Sequence, residues 1–333
     1  MSSTLSSKST QSSSTPSPPR SANQYILPLT VAALALILAL YTPARALVAK
    51  SLGRLPFRTM ATTTTTTTAP ASFGPSAPYT ITKRPWSARG HADHGWLYTF
   101  HTFSFASYHD PRYESFGPLR VINEDRVQRG TGFGTHSHRE FLIWSYIVSG
   151  ELEHKDSMGN LEKLRRGEVQ FTSAGTGISH SEYCRNEEED VHFLQIWAKP
   201  SVRGLKPTYK TKKFGDEEKR GRLCRIMESE ERVKGNEGPI PLHADLSMDA
   251  CILAPGEKVR HELVAEGERL VYLHLVMGGK KQTKTGGAEI KVGNVTLGEG
   301  DGAFVRTKPG TKQLEVESVG AKDAEFLLFD MGE

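Results

Sequence analysis

From Tyr79 onward the sequence consists of short apolar or alternating runs separated by Gly, Asn and Asp. This pattern constrains the fold more than any other feature, because such runs at short spacing are typical of an all-β sandwich or barrel. No long stretch repeats its apolar residues every 3.6 positions, so we expect little helix. Clear runs of this kind are 141–148, 191–198, 270–277 and 325–329.

A faint duplication divides this β-rich region into two similar units. Three landmarks recur in the same order in both units. Tyr146-Ile-Val-Ser-Gly150 resembles His274-Leu-Val-Met-Gly278, Gly167-Glu-Val-Gln-Phe171 resembles Gly300-Asp-Gly-Ala-Phe304, and Phe193-Leu-Gln-Ile-Trp197 resembles Phe326-Leu-Leu-Phe-Asp330. The interval between the first two landmarks is longer in the second unit, which predicts a longer hairpin at 279–287. We therefore predict two tandem β-barrels.

The chain has 333 residues, more than the ~250–300 at which a single hydrophobic core stops growing. We place the first barrel at 79–210 and the second at 211–333. Residues 201–240 hold eleven basic and seven acidic side chains and few apolar ones, so we expect them to connect the barrels.

The leader, residues 1–78, differs in composition from the rest of the chain. It is rich in Ser, Thr and Pro, a composition that buries too little surface to fold, and the first acidic residue of the chain is Asp93. Its apolar segment 26–41 is slightly shorter than the ~17–25 residues of a membrane-spanning helix. Three interpretations stay open: a membrane anchor, a mitochondrial presequence over 1–59, or removal of the leader by translation from Met60.

Charge and cysteine content bear on partners and location. The net charge of +4 is too balanced for a dedicated nucleic-acid binder, so we expect no direct contact with nucleic acid. Three cysteines without a close pair argue against a disulfide framework. We therefore expect an intracellular, monomeric body, in cytoplasm or nucleus, that meets a membrane only through the leader.

Two histidine-containing motifs carry the chemistry. Gly130-Thr-Gly-Phe-Gly-Thr-His136-Ser-His138 is followed later by His180-Ser-Glu182. In a strand, positions i and i+2 point to one face, so each pair can bind the same ion. Three imidazoles and a carboxylate suit Fe, Mn, Co, Ni, Cu or Zn rather than Ca or Mg. The alternative is that His136 and His138 are surface loop residues and that Glu182 caps a turn.

The duplication offers an internal comparison. The same offsets from the landmark glycines of the second unit give Val264, Glu266, Gln313 and Glu315. None of these is a histidine, so we infer a single metal site, in the first barrel.

At these motifs the sequence resembles the pirin family of the cupin superfamily. The similarity covers roughly 79–333 and is strongest over 91–200, and the second half is closer to the quercetin dioxygenase-like branch than to animal pirins. The stretches that carry it are Thr102-Phe-Ser-Phe-Ala-Ser-Tyr-His-Asp-Pro111, Gly150-Glu-Leu-Glu-His-Lys-Asp-Ser-Met-Gly-Asn160, Ser173-Ala-Gly-Thr-Gly177 and His180-Ser-Glu182.

The resemblance implies two tandem cupin (jelly-roll) barrels, of which only the first binds metal. The implied cofactor is one divalent transition metal, foremost Fe(II), with Mn, Co, Ni, Cu or Zn as alternatives. The implied ligands are His136, His138, His180 and Glu182. The acidic residue that cupins carry soon after the first histidine pair would fall near Leu142 or Ile143, both apolar, and the neighbouring Glu140 is weighed as a further ligand.

The resemblance also implies two functions of different classes. One is a dioxygenase that cleaves flavonol-like aromatic enols with O₂, in which Glu182 is the catalytic general base. The other is a non-catalytic iron protein that binds a protein partner, as animal pirins act as redox-sensitive transcription cofactors. Phe103, Phe105, Phe133 and Trp144 are candidates for the walls of an aromatic substrate site, with core packing as the alternative.

Overall fold

The structure, a computed structural model, describes residues 78–235, 238–264, 267–278 and 287–333. Apart from Pro78, the leader therefore lies outside the described residues, as do Glu266 and most of the expected hairpin at 279–287. Within the described ranges, no helix is both long and apolar enough to cross a membrane.

Strands make up nearly all of the regular structure in the described ranges, which confirms the expected all-β class. The first twelve are β1 (Tyr79–Arg84), β2 (Gly90–Asp93), β3 (Leu97–His101), β4 (Leu119–Val127), β5 (Gly132–His138), β6 (Leu142–Ser149), β7 (Glu151–Asp156), β8 (Leu161–Arg165), β9 (Glu168–Ser173), β10 (Ile178–Tyr183), β11 (Val191–Ala198) and β12 (Thr208–Lys213). A 3-10 turn (Trp86–Ala88) and one short helix, α1 (Asp216–Lys219), complete the helical content of the described residues. The remaining strands are β13 (Cys224–Ser229), β14 (Ile240–Leu242), β15 (Leu246–Leu253), β16 (Lys258–Glu262), β17 (Leu270–Leu275), β18 (Glu289–Val292), β19 (Val295–Gly298), β20 (Gly302–Thr307), β21 (Gln313–Ser318) and β22 (Ala324–Met331).

Each barrel pairs a seven-stranded sheet with a four-stranded one. In the first barrel the orders are β12-β9-β6-β11-β4-β3-β2 and β5-β10-β7-β8. In the second they are β1-β20-β17-β22-β15-β13-β14 and β16-β21-β18-β19. The three landmark strands of the duplication, β9, β6 and β11, thus occupy the same places as β20, β17 and β22, and the predicted duplication is confirmed.

The turns before β9 and β20 explain why the duplication could be detected in the sequence. Gly167 and Gly300 stand at equivalent positions with φ of 85° and 79°. Only glycine adopts this left-handed backbone readily, so the same turn keeps the same residue in both barrels.

The strands at two equivalent sheet edges depart from the expected domain boundaries. β1, expected in the first barrel at 79–210, instead pairs with β20 of the second, from Tyr79 opposite Thr307 to Arg84 opposite Gly302. β12, which the boundary at 210 divides, pairs with β9 and occupies the equivalent edge of the first barrel. Residues 201–240 are therefore not a simple connector, because they contain β12, α1 and β13. The second barrel thus covers an otherwise open sheet edge with a strand from outside its own contiguous sequence, and the first barrel covers the equivalent edge with the strand that follows β11.

The central strands of the large sheets are buried on both faces. On β6, Trp144 and Tyr146 pack in a cluster that includes Met248, Tyr272 and Phe329 of the second barrel. The intervening residues of β6 face the interior of the first barrel. This two-sided burial explains why these strands are nearly continuous apolar runs rather than alternating ones.

The interiors of the two barrels differ. The second barrel is filled by one continuous apolar cluster that includes Cys251, Leu273 and Leu328. In the first barrel the apolar residues form two separate clusters, one around Leu152 and Phe193 and another around Ile143. A polar region lies inside the first barrel, and it is the candidate site.

A buried carboxylate joins the barrels. Glu124 on β4 accepts hydrogen bonds from Arg89 Nη1 (3.1 Å), His192 Nε2 (3.0 Å) and His274 Nε2 (2.9 Å), and from the backbone N–H of Met277 (2.7 Å). Burial acts to raise the pKa of Glu124, but the hydrogen bonds from both histidines outweigh it and hold that pKa well below its usual value. The carboxylate is therefore charged and couples the two barrels.

Candidate metal centre

Three of the four predicted ligand side chains converge inside the first barrel. β5 and β10 are antiparallel neighbours, and His136 stands directly opposite His180. His138, two positions along β5, points to the same face as His136. One ring nitrogen from each histidine can be chosen so that all three lie within 4.8 Å of one another. No other such group of His, Cys, Asp or Glu occurs in the described part of the chain.

Hydrogen bonds made by one ring nitrogen of a histidine indicate which nitrogen is left for a metal at the centre of the cluster. His136 Nδ1 lies 2.8 Å from the carbonyl oxygen of Gly134, which can only accept, so Nδ1 carries the proton. His180 Nδ1 lies 2.9 Å from Nε2 of the buried His154. The buried Nε2 atoms of His138 and His180 have no hydrogen-bond partner among the described residues. Unpartnered ring nitrogens that face one another fit a metal cation, which would satisfy them.

The electrostatics of the cluster favour the neutral imidazoles that bind metals. Burial, followed by the neighbouring His180 and His136, lowers the pKa of His138 to about 3. Burial and His136 lower the pKa of His180 to about 4. At neutral pH both rings therefore keep a lone pair available for a metal.

Glu182, the fourth predicted ligand, lies beside the histidine cluster but is not part of the group of three. It is buried on the same face of β10 as His180. Its carboxylate accepts a hydrogen bond from Gln195 Nε2 at 3.1 Å, and the hydroxyl of Ser145 lies 3.3 Å from its Oε1. Burial raises the pKa of Glu182 despite the nearby histidines and these hydrogen bonds. Its roles as ligand and base stay predictions.

A cavity of about 400 Å³ opens onto the cluster. His136, His138 and Glu182 line it together with Asn123, Asp125 and Gln195. Its apolar walls are aromatic: Trp96 and Phe133 meet edge to face at 5.1 Å between ring centroids, and Phe105 and Trp197 do so at 5.5 Å.

Two of the four candidate wall residues do line this cavity, Phe105 and Phe133. Phe103 and Trp144 belong instead to the core between the barrels. Glu140 does not join the site: its carboxylate accepts hydrogen bonds from the backbone N–H of Gly204, and its φ of 58° directs the chain into β6. Leu142 and Ile143 are fully buried apolar residues.

The pairing of the strands identifies counterparts of the site residues in the second barrel that differ from those predicted by sequence offsets. His138 is paired with Ile178, the first inward-facing residue of β10, and His261 is paired with Leu314, the first inward-facing residue of β21. A histidine does therefore stand at an equivalent position, contrary to the prediction. The predicted offsets were wrong because the loops that precede β17 and β21 are longer than their counterparts in the first barrel.

The other equivalents of the site are apolar or small. In the same register His136 corresponds to Val259, His180 to Val316 and Glu182 to Ser318. His261 is buried, and its Nε2 donates to Asp330 Oδ2 at 2.8 Å. At these positions the described part of the second barrel therefore holds one imidazole, where the first barrel holds three.

Four polar residues of the site were not predicted: Asn123, Asp125, Ser145 and Gln195. Each lies within a buried strand, and all are at most 7% exposed. The signal was Asn123-Glu-Asp125 in the middle of β4, since polar residues are rare at the centre of a strand that is buried on both faces.

Comparison with known proteins agrees with this geometry. The family model described as Pirin matches residues 83–198, and the one described as Quercetinase C-terminal cupin domain matches 233–331. A protein of Escherichia coli named quercetin 2,3-dioxygenase is 37% identical over 251 residues, which cover 74% of this chain and 97% of that protein.

Solved structures show the same relationship. The crystal structure of YhhW from Escherichia coli has a TM-score of 0.66 and 35% identity, and covers 76% of this chain and 98% of that one. The structure described as bacterial pirin YhhW in complex with nickel(II) has a TM-score of 0.64 and 35% identity, with 76% and 99% covered. The similarity extends over both barrels, and the chain belongs to the pirin family.

Proposed function

We propose that this protein is a metal-dependent dioxygenase of the pirin and quercetinase type, which cleaves flavonol-like aromatic enols with O₂. One observation carries the proposal: unpartnered histidine nitrogens lie at an aromatic-walled cavity of about 400 Å³. That volume is within the ~300–1,000 Å³ of small-molecule sites. The relative named quercetin 2,3-dioxygenase, which matches this chain over both barrels, supports the same activity.

We propose that His136, His138 and His180 hold a single transition metal, with Glu182 as the fourth ligand. Fe(II) is our choice of native metal, although imidazole ligands accept several others and a related pirin was solved with nickel(II). When bound, such a cation lowers the pKa of a coordinated hydroxyl and supplies redox chemistry for O₂.

The proton of the substrate hydroxyl goes to Glu182 in this proposal. Burial raises the pKa of Glu182 in the metal-free protein, and a Glu182 that is only loosely bound to the metal would keep a carboxylate oxygen able to take this proton. Gln195 holds the base in place, because its amide donates to Glu182 while its carbonyl accepts from the hydroxyl of Ser145 at 2.8 Å. The deprotonated flavonol is electron-rich and reacts with O₂, its heterocycle is cleaved, and CO is released.

The cavity walls suit a flat aromatic substrate. The indoles of Trp96 and Trp197 and the rings of Phe105 and Phe133 offer apolar faces along its length. They also exclude water from the reacting ring, which strengthens the interaction of the substrate oxygen with charged groups in the site.

The test is turnover by protein that has been loaded anaerobically with Fe(II). With quercetin, we expect O₂ uptake together with CO release. A flavone without the 3-hydroxyl is the matched control and should not react, since it offers no proton to Glu182. Glu182→Gln should lower turnover about 10²- to 10⁴-fold.

Protein that retains iron but turns over neither quercetin nor a related enediol would contradict the enzyme proposal. The non-catalytic iron protein with a protein partner would then be the better interpretation.

A further inference from the structure

One carboxyl group in the cavity has no assigned role. Asn123 and Asp125 lie two positions apart on β4, on the face that lines the cavity. Asn123 Oδ1 is occupied by His101 Nδ1 at 2.8 Å. Asp125 is only 4% exposed, and its Oδ1 has no hydrogen-bond partner among the described residues.

This arrangement is costly for the fold. A buried polar atom without a partner loses its hydrogen bonds to water and gains none in return. Burial is the main cause that raises the pKa of Asp125 to about 7. The Thr99 side chain opposes this increase, and the negative charge of the nearby Glu182 adds to it. Because the buried carboxyl of Asp125 lowers the stability of the fold, its presence indicates a role other than folding.

The second barrel shows that the fold itself does not need a carboxyl at this position. Asp125 is paired with Phe193 on β11, and Cys251 is paired with Phe326 on β22. Phe193 and Phe326 are equivalent landmarks of the duplication, so Cys251 is the counterpart of Asp125. Cys251 is fully buried in the apolar core.

Two other polar residues of the site, Gln195 and Ser145, follow the same rule. Asn123 does not, because its counterpart in the second barrel is the buried Asp249. Gln195 is paired with Ser145, and at the equivalent positions of the second barrel Leu328 is paired with Leu273. Both leucines belong to the apolar cluster that fills that barrel. The positions of Asp125, Gln195 and Ser145 thus carry carboxyl, amide or hydroxyl groups only in the barrel that has the cavity and the histidine cluster.

We propose that Asp125 positions the ligand, by accepting a hydrogen bond from a second hydroxyl of an aromatic molecule whose first hydroxyl faces the histidine cluster. The inference rests on the proposed function and narrows its substrate class to flat aromatics with at least two hydroxyl groups. A carboxyl oxygen accepts such a bond, while the aromatic walls between the two polar regions hold the ring system.

The test compares two flavonols by calorimetric titration at pH 8, with metal-free and with Zn(II)-loaded protein, so that no turnover is involved. 3-Hydroxyflavone carries the 3-hydroxyl alone, and quercetin carries further hydroxyls. Wild-type protein should bind quercetin more tightly. Asp125→Ala should weaken quercetin binding about 10- to 100-fold, the effect of losing a hydrogen bond to a charged group, and should leave 3-hydroxyflavone binding nearly unchanged.

Two further variants control for folding. Cys251→Ala truncates the counterpart in the second barrel and should leave both affinities as they are. Asp125→Asn keeps the shape and an oxygen acceptor without the charge, so its preference for quercetin should fall between those of wild type and Asp125→Ala. If Asp125→Ala does not fold, Asp125→Asn alone is the test. The proposal is then overturned if Asp125→Asn prefers quercetin over 3-hydroxyflavone as strongly as wild-type protein does.

Equal loss of affinity for both flavonols in Asp125→Ala would indicate a structural role and overturn the inference, as would no loss for either. In both cases the proposed function would stand. Binding of neither flavonol by wild-type protein would reject the proposed function and the inference with it.

Discussion

His154 Nε2 lies 2.9 Å from His180 Nδ1, and both imidazoles are buried in the first barrel. If His180 binds a metal through its unpartnered Nε2, its proton must reside on Nδ1, where His154 accepts it. His154 thus selects the tautomer and the orientation of a proposed ligand, as outer hydrogen-bond partners commonly do in metal sites. The ring of His154 is itself held by stacking on Tyr209, at 5.1 Å between centroids.

Replacement of His154 by phenylalanine tests this role. His154→Phe keeps a ring against Tyr209 but removes the acceptor for His180 Nδ1. We expect the affinity for Fe(II) or Ni(II) to fall about 10- to 100-fold while the protein stays folded. Competition with a chelator of known affinity measures the change.

The matched control is His91→Phe. His91 stacks on Phe100 at 4.4 Å, and it is not among the residues that line the cavity. Its replacement should leave metal affinity unchanged. An unchanged affinity in His154→Phe as well would show that the hydrogen bond to His180 does not tune the site.

The fold was largely predictable because the duplication has a local signal. The landmark glycines and the apolar strands that follow them occur in both units, and they identified the central strands of each large sheet. The placement of β1 in the second barrel was not predictable, since the partners of β1 lie more than 200 positions along the chain and its alternating residues fit either barrel. The charge of 201–240 concealed β12, because an edge strand with an exposed face can be largely basic.

The part of the site that depends on the spacing of residues along one strand was predictable. His136 and His138 share a face because they are two positions apart on one strand. Asn123-Glu-Asp125 marks β4 as unusual in the sequence, but the role of Asp125 and Gln195 was not predictable, because the function of a polar residue inside a buried strand depends on the interior around it. His261 was missed because the loops between landmarks differ in length, and only hydrogen-bond register identifies its counterpart.

Glu124→Gln tests the junction between the barrels. The change keeps the shape of the side chain but leaves the buried guanidinium of Arg89 without its carboxylate partner. We expect the free energy of unfolding to fall by about 3–5 kcal/mol, the usual effect of breaking a buried ion pair. Denaturant unfolding at pH 7 measures it.

The control for this variant is Glu114→Gln, which removes a half-exposed carboxylate that contacts His109 and Arg120. It should change the free energy of unfolding by no more than about 0.5 kcal/mol. Similar small effects for both variants would mean that the buried carboxylate does not hold the barrels together.

The same junction predicts a pH dependence of stability. Burial lowers the pKa of His192 and of His274 below 6.5, so the folded protein keeps both neutral where the unfolded chain binds protons. Stability from these two groups is present above pH 6.5 and is lost as the pH falls below it. The lowered pKa of Glu124 adds a second loss below its unfolded value of 4.5. Protonation of the histidines and of Glu124 therefore both lower the stability of the fold as the pH falls.

Thermal unfolding of metal-free protein between pH 8 and pH 4 checks this expectation. The midpoint temperature should decline as the pH falls through 6.5, and His274→Gln should make the decline shallower because one of the two buried histidines no longer titrates. An equally steep decline in His274→Gln would contradict the assignment of His274 as neutral, since the other titrating groups, Asp125 among them, are the same in both proteins.

Metal content is the most direct test of the central claim, that the histidine cluster of the first barrel binds a single transition metal. Wild-type protein and His180→Ala are each loaded anaerobically with Fe(II), freed of excess metal and analysed by elemental mass spectrometry, with circular dichroism to confirm that the barrels stay folded. We predict one metal ion per chain in wild type and none in His180→Ala. Full metal stoichiometry in folded His180→Ala would contradict the site.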